Sequence, residues 1–205
     1  GIMVDKIAEI ISNRIIAVNG QGEDKEIYTY GLQILLNTLL SIGVVLLIGS
    51  AANELWGTVI FLFCYCSLRL FAGGLHVDTN NKCMSIFVGG YILVLCILKC
   101  VDITLKIDVI AILVLFNICI LMWAPVDVPN NSIPTPKKRI MKKRAFFISL
   151  IITSVIFALL YNRYDIGKWA FAGVSWYFFI LTAGKIKNII YIRRHNNEKS
   201  HRKNL

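Results

Sequence analysis

Between residues 69 and 85 the chain reads RLFAGGLHVDTNNKCMS, a stretch that gathers Arg69, the pair Gly73-Gly74, His76, Asp78 and Cys83. The other two histidines fall within the last eleven residues, and Cys83 is the one cysteine of six in a polar segment. A thiol and an imidazole suffice for acyl transfer: the histidine accepts the thiol proton, and the thiolate attacks a carbonyl to give a thioester. Their separation restricts the geometry. On one continuous helix His76 and Cys83 would stand two turns, about 10 Å, apart, beyond hydrogen-bond reach. A reversal within HVDTNNKC brings them together, and Asp78, Asn80 and Asn81 are turn formers. Gly73-Gly74 lets the backbone bend and approach a substrate closely. Arg69 can snorkel to a phosphate, bind a substrate carboxylate or pair with Asp78.

The same residues admit other chemistry. His76, Asp78 and Cys83 could hold a metal with an open position, but no second histidine is near to complete a usual zinc set, so neither metal nor cofactor is expected. Cys64-x-Cys66 and Cys96-x3-Cys100 lack histidine or carboxylate company and read as packing thiols. No HExxH zinc-protease motif and no GxSG serine-protease motif occurs. A channel or transporter with a structural or metal-binding Cys/His loop is the competing class, although such a chain is expected to show paired half-helices or more intramembrane charge. A noncatalytic scaffold presenting its basic loops is a third.

Composition decides what must position these residues. The 205 residues are 57% hydrophobic and 17% charged, where an ordinary soluble domain is about 25% charged. A soluble chain of this size cannot hide that much apolar surface. An integral, all-α polytopic membrane protein follows. The formal net charge of +10 suggests orientation in a bilayer rather than nucleic acid, because the basic residues lie between and after apolar blocks.

Residues 3–18 place Val4, Ile7, Ala8, Ile11, Ile15 and Val18 at helical spacing, with Ser12 among the polar residues opposite; this predicts an N-terminal amphipathic helix too polar to span. Six apolar blocks follow, at about 31–52, 55–71, 84–101, 109–126, 145–161 and 169–186. They predict six transmembrane helices, several of them near the lower length limit of about 17 residues. The organisation expected is a cytoplasmic helix and linker over 1–30, a six-helix transmembrane catalytic domain over 31–186, and a basic, frayed cytoplasmic tail over 187–205. With six crossings, 18 of the 22 Lys and Arg share one side, which places both termini in the cytoplasm. Gln33, Asn37 and Asn117 are amides in apolar surroundings and read as packing glue.

RLFAGGLH followed by Cys83 resembles the signature of the accessory gene regulator B family, bacterial membrane endopeptidases that process quorum-sensing propeptides. The matching positions are Arg69, Phe71, Ala72-Gly73-Gly74, His76 and Cys83, and the likeness extends to Ala124-Pro125 with Asp127. The resemblance implies His76 as base and Cys83 as nucleophile. It also implies a thioester that keeps the N-terminal part of the substrate, and attack by an internal substrate cysteine or serine to give a thiolactone or lactone. It implies a substrate that is a short, AgrD-like amphipathic propeptide with an acidic C-terminal tail, and a homodimer in the bacterial cell membrane. Residues 137–144 carry six basic groups and no acid. They suit anionic lipid and, through Lys137, Lys138 and Arg139, an acidic tail.

Overall fold

The computed structural model describes residues 2–19, 25–73, 80–101, 103, 107–125 and 135–203. These form seven helices: α1 (Ile2–Asn19), α2 (Lys25–Ala51), α3 (Leu55–Ala72), α4 (Asn80–Cys100), α5 (Ile107–Trp123), α6 (Thr135–Tyr161) and α7 (Ile166–Lys203). They divide into two units. One holds α1, α2 and α4 through Leu93, and the other holds α3 from Trp56, the end of α4, and α5 to α7.

Four of these helices are long and apolar enough to cross a membrane: Gly31–Ala51, Leu55–Ala72, Lys82–Cys100 and Lys138–Tyr161. The six spans expected from hydropathy are corrected accordingly. α5 is apolar but has 17 residues, about 25 Å of helix against a hydrocarbon core of about 30 Å. α7 is long, but Gly173, Ser175, Thr182, Gly184 and Lys185 dilute its apolar stretch. The charge count that oriented the termini assumed six crossings and falls with them. Two further boundaries move. The basic run 137–144 is the opening of α6 rather than a loop, continuous with the apolar residues after it. The basic tail stays helical to Lys203 instead of fraying.

In the first unit α1 lies on α2 through Ala8 and Ser12, both fully buried. The Ser12 and Thr29 hydroxyls are 2.8 Å apart, a hydrogen bond that joins the two helices. Ser12 therefore sits on the packed face, although the spacing of apolar residues puts it opposite. Asn37 donates to the Gln33 carbonyl at 2.8 Å, so its amide is satisfied within α2.

In the second unit α3 and α7 run side by side in the same direction. Gly57 faces Trp169 so closely that a Cβ would lie 2.3 Å from the indole, and a Cβ on Gly173 would lie 2.7 Å from the Phe61 carbonyl oxygen. One turn on, the Tyr65 and Tyr177 rings meet edge to face at 6.1 Å. The contacts advance four residues at a time along both helices; Gly57 makes room for the indole, and Gly173 lets the α3 backbone approach. α5 and α6 are joined by polar groups. Asn117 donates to Thr153 at 2.9 Å, and Ser149 donates to the Asn117 side-chain oxygen at 2.8 Å. The amide that stands alone in the sequence is thus the centre of an interhelical network.

Candidate active site

The candidate site begins where α3 ends. Arg69 lies in the last turn of α3, one turn after Tyr65. Its Nη1 donates to the Tyr65 hydroxyl oxygen, and its guanidinium carbon lies 5.7 Å from the centre of the Tyr65 ring. The arginine is half-buried, and both the phenol and the ring face compensate its cation.

Gly73 follows as the helix stop. Its φ of 74° is left-handed, a conformation that glycine adopts without Cβ strain. Its N–H donates to the Arg69 carbonyl at 3.1 Å, the bond that closes a helix with a left-handed residue after the last turn. The Gly73 carbonyl accepts a hydrogen bond at 2.9 Å from the hydroxyl of Tyr177, 104 residues further along the chain. Tyr177 has no exposed surface and Tyr65 only 2%. Phe116 meets Tyr177 edge-on at 6.2 Å. Two residues of the motif, Arg69 and Gly73, are therefore each hydrogen-bonded to one member of a packed tyrosine pair.

Beside this cluster Phe71, Lys143, Arg144, Phe147 and Ile148 line an open groove of about 470 Å³. The groove places the C-terminal end of α3 next to the basic opening of α6. Of the residues singled out for docking, Lys138 is half-buried and Arg139 exposed in the first turns of α6. The Lys137 side chain lies outside the described residues. The groove itself takes the later Lys143 and Arg144.

Cys83 is the fourth residue of α4 and is half-buried. It belongs to the other unit. Gly74, His76 and Asp78 lie outside the described residues, as does Asp127. Ala124 and Pro125 are buried, joined by a cis peptide bond. Among the described residues no three His, Cys, Asp or Glu side chains are grouped to hold a metal ion.

The family model described as Accessory gene regulator B matches residues 4–181. The chain belongs to the accessory gene regulator B family. Its members are membrane proteins linked to quorum-sensing propeptide processing. The chain is 30% identical over 199 residues to AgrB-like protein 2 of Clostridium perfringens strain 13, an alignment covering 88% of this chain and 92% of that protein. It is also 30% identical over 200 residues to an AgrB-like protein of Clostridium perfringens strain SM101, with the same coverage. A shorter likeness, 27% over 82 residues, joins 40% of the chain to 42% of an AgrB-like protein of Halalkalibacterium halodurans. No solved structure matches.

In this AgrB-family chain the motif residues Arg69 and Gly73 were legible, but Tyr65 and Tyr177 were not. Both tyrosines sit inside apolar blocks with no neighbouring polar signature. Only the four-residue step of contacts between α3 and α7 shows that they form a pair.

Proposed function

We propose that the protein is a membrane cysteine endopeptidase that cuts a short quorum-sensing propeptide and promotes its cyclisation. His76 takes the proton of the Cys83 thiol. The thiolate attacks the scissile carbonyl, and the tetrahedral intermediate collapses as the amine of the C-terminal fragment leaves with the proton held by His76. The N-terminal part of the substrate remains as a thioester on Cys83. A substrate cysteine then gives up its proton, attacks that thioester and closes a thiolactone, and Cys83 recovers its proton. A serine at that position closes a lactone. Thiol-to-thioester exchange is nearly isoenergetic, so positioning the internal nucleophile ahead of water is what the site must provide.

The observation that carries this reading is the family match over 4–181, a span that contains both His76 and Cys83. The basic opening of α6 beside Phe71 suits a partner that combines an amphipathic segment with an acidic tail. Asp78 and Gly74 join His76 as orienting residues, and Lys137, Lys138 and Arg139 extend the basic surface. A homodimer in the bacterial cell membrane completes the reading.

Orientation follows from where the substrate is made. A propeptide leaving the ribosome meets its protease from the cytoplasm, so the end of α3 and the start of α4 face inward. α2 and α3 are both candidate spans, which returns residues 1–30 to the same side. A cysteine introduced at 22 should resist an impermeant reagent added to intact cells, while one at 103 should react. Labelling at 22 from outside would overturn the orientation.

The activity is tested by mass spectrometry after co-expression with an acidic-tailed propeptide. Wild type should yield cleaved, cyclic peptide, and Cys83→Ser should yield neither cleavage nor thioester. Normal processing by folded C83S protein would end the assignment. Alkylation of Cys83 followed against pH, with His76→Ala as comparison, tests the base: an unchanged profile would remove His76 from the role.

A further inference from the structure

A buried phenol rarely lacks a purpose for its hydroxyl. A helix C-terminus leaves carbonyls without intrahelical partners, and an unsatisfied one among apolar side chains is costly. At Gly73 the left-handed turn directs the carbonyl away from the α3 ladder, and Tyr177 donates to it from α7. The phenol has little freedom to do otherwise. Its ring is held between Tyr65 and Phe116, and the whole residue is excluded from the surface. The register of the helix pair fixes it further, because Gly57 admits the Trp169 indole and Gly173 admits the Phe61 backbone.

Tyr65 carries the second half of the arrangement. Its hydroxyl accepts from Arg69, and its ring packs on that of Tyr177. The guanidinium of Arg69 and the carbonyl of Gly73 thus each bond one of two tyrosines whose rings pack on each other. Gly73 is three residues before His76 in the sequence, so the place where α3 stops is also the anchor from which the chain proceeds to the proposed base.

We propose that Tyr177 is a positioning residue for the processing reaction, holding the Gly73 carbonyl so that Arg69 and the chain leading to His76 keep a fixed origin. This rests on the endopeptidase reading above. Tyr177 touches neither substrate nor thiol in this role. It acts through geometry, where misplacement by about 1 Å lowers a rate by orders of magnitude.

Tyr177→Phe removes the donor and keeps the ring. With the full chain in detergent and an acidic-tailed propeptide as substrate, kcat should fall about tenfold, the scale of a lost hydrogen bond that strands a half-buried carbonyl, while KM stays near its original value. The pH profile of Cys83 alkylation should shift toward that of His76→Ala, a readout that a purely structural role would not move. Gly73→Ala disturbs the acceptor instead of the donor and should give the same signature, so the idea stays testable if Y177F folds poorly. The double variant should lose little more than either single one. A wild-type kcat in folded Y177F, or a lower kcat with an unmoved alkylation profile, overturns the proposal. Cleavage by C83S would bring down the endopeptidase reading itself; inactive C83S beside fully active Y177F would bring down the positioning role alone.

Discussion

The Asn117 network on α5 and α6 and the Tyr177 cluster on α3 and α7 both set polar groups among apolar helices, and they end differently. Asn117, Ser149 and Thr153 answer one another, and the bonds left over return to carbonyls of their own helices, at Leu113 and Phe146. Removing the network would loosen two helices. The Tyr177 cluster ends on a backbone carbonyl at a helix stop and on a cation in the last turn of α3. Its groups lie at the edge of the motif, so in the proposed reading its energy sets the place of the motif residues as well as the packing of helices. Buried polarity alone does not mark a site; what matters is whether the hydrogen bonds terminate within the core or on the chain that leaves it.

The largest expected effect tests the frame both clusters share. Gly57→Ala pushes a methyl into the Trp169 indole and should cost about 1–3 kcal/mol, the usual range for overpacking. Thermal unfolding in detergent should shift down and processing should fall with it. Trp169→Leu added to G57A should recover both, and a G57A protein with unchanged melting would deny that α3 and α7 are locked in this register.

Next comes the contrast itself. Arg69→Ala should lower processing per folded molecule by about tenfold or more, the scale of a hydrogen bond to a charged group. Asn117→Leu should lower stability by about 1 kcal/mol and leave the rate per folded molecule alone. Equal losses of rate from both variants would erase the distinction between the clusters.

A smaller effect concerns the groove beside Phe71. Reversing Lys143 and Arg144 to Glu should weaken binding of an acidic-tailed propeptide more than reversing Lys137, Lys138 and Arg139. A tail with its acids neutralised should respond little to either. The difference, about threefold at low ionic strength, should shrink as salt rises. Equal loss with both substrates in folded protein would mark these charges as structural. Smallest of all, Ser12→Ala removes the hydrogen bond between α1 and α2 and should cost about 1 kcal/mol, with no change in processing rate.

Much of the architecture was readable from the chain because apolar blocks and a motif at fixed spacing are local signals. The all-α membrane class, the amphipathic opening helix and the family each rest on such signals. The span count was not readable, because block length and hydropathy compete at the margin. α5 is apolar but short, and α7 long but interrupted. Ser12 escaped because a small hydroxyl that bonds Thr29 can be buried on a face where spacing counts only apolar residues. The basic run escaped because Lys and Arg are good helix formers, so charge ends the hydrophobic block without ending the helix. Tyr177 could not have been found at all: its partner is 104 residues away, and no period along either helix encodes that meeting.

The unbroken course of α7 makes its angular phase a quantity that matters. Over 38 residues the helix extends about 57 Å, and Tyr177 stands near its beginning, with Lys185, Lys187 and Arg193 following on the same rigid axis. Each residue turns that axis by about 100°. The bearing of the basic residues around α7 is thereby geared to the bearing of one phenol. Adding a single residue between Tyr177 and Lys185 would swing the entire remainder to a different compass point, whereas adding four would return it to within about 40° of its starting azimuth.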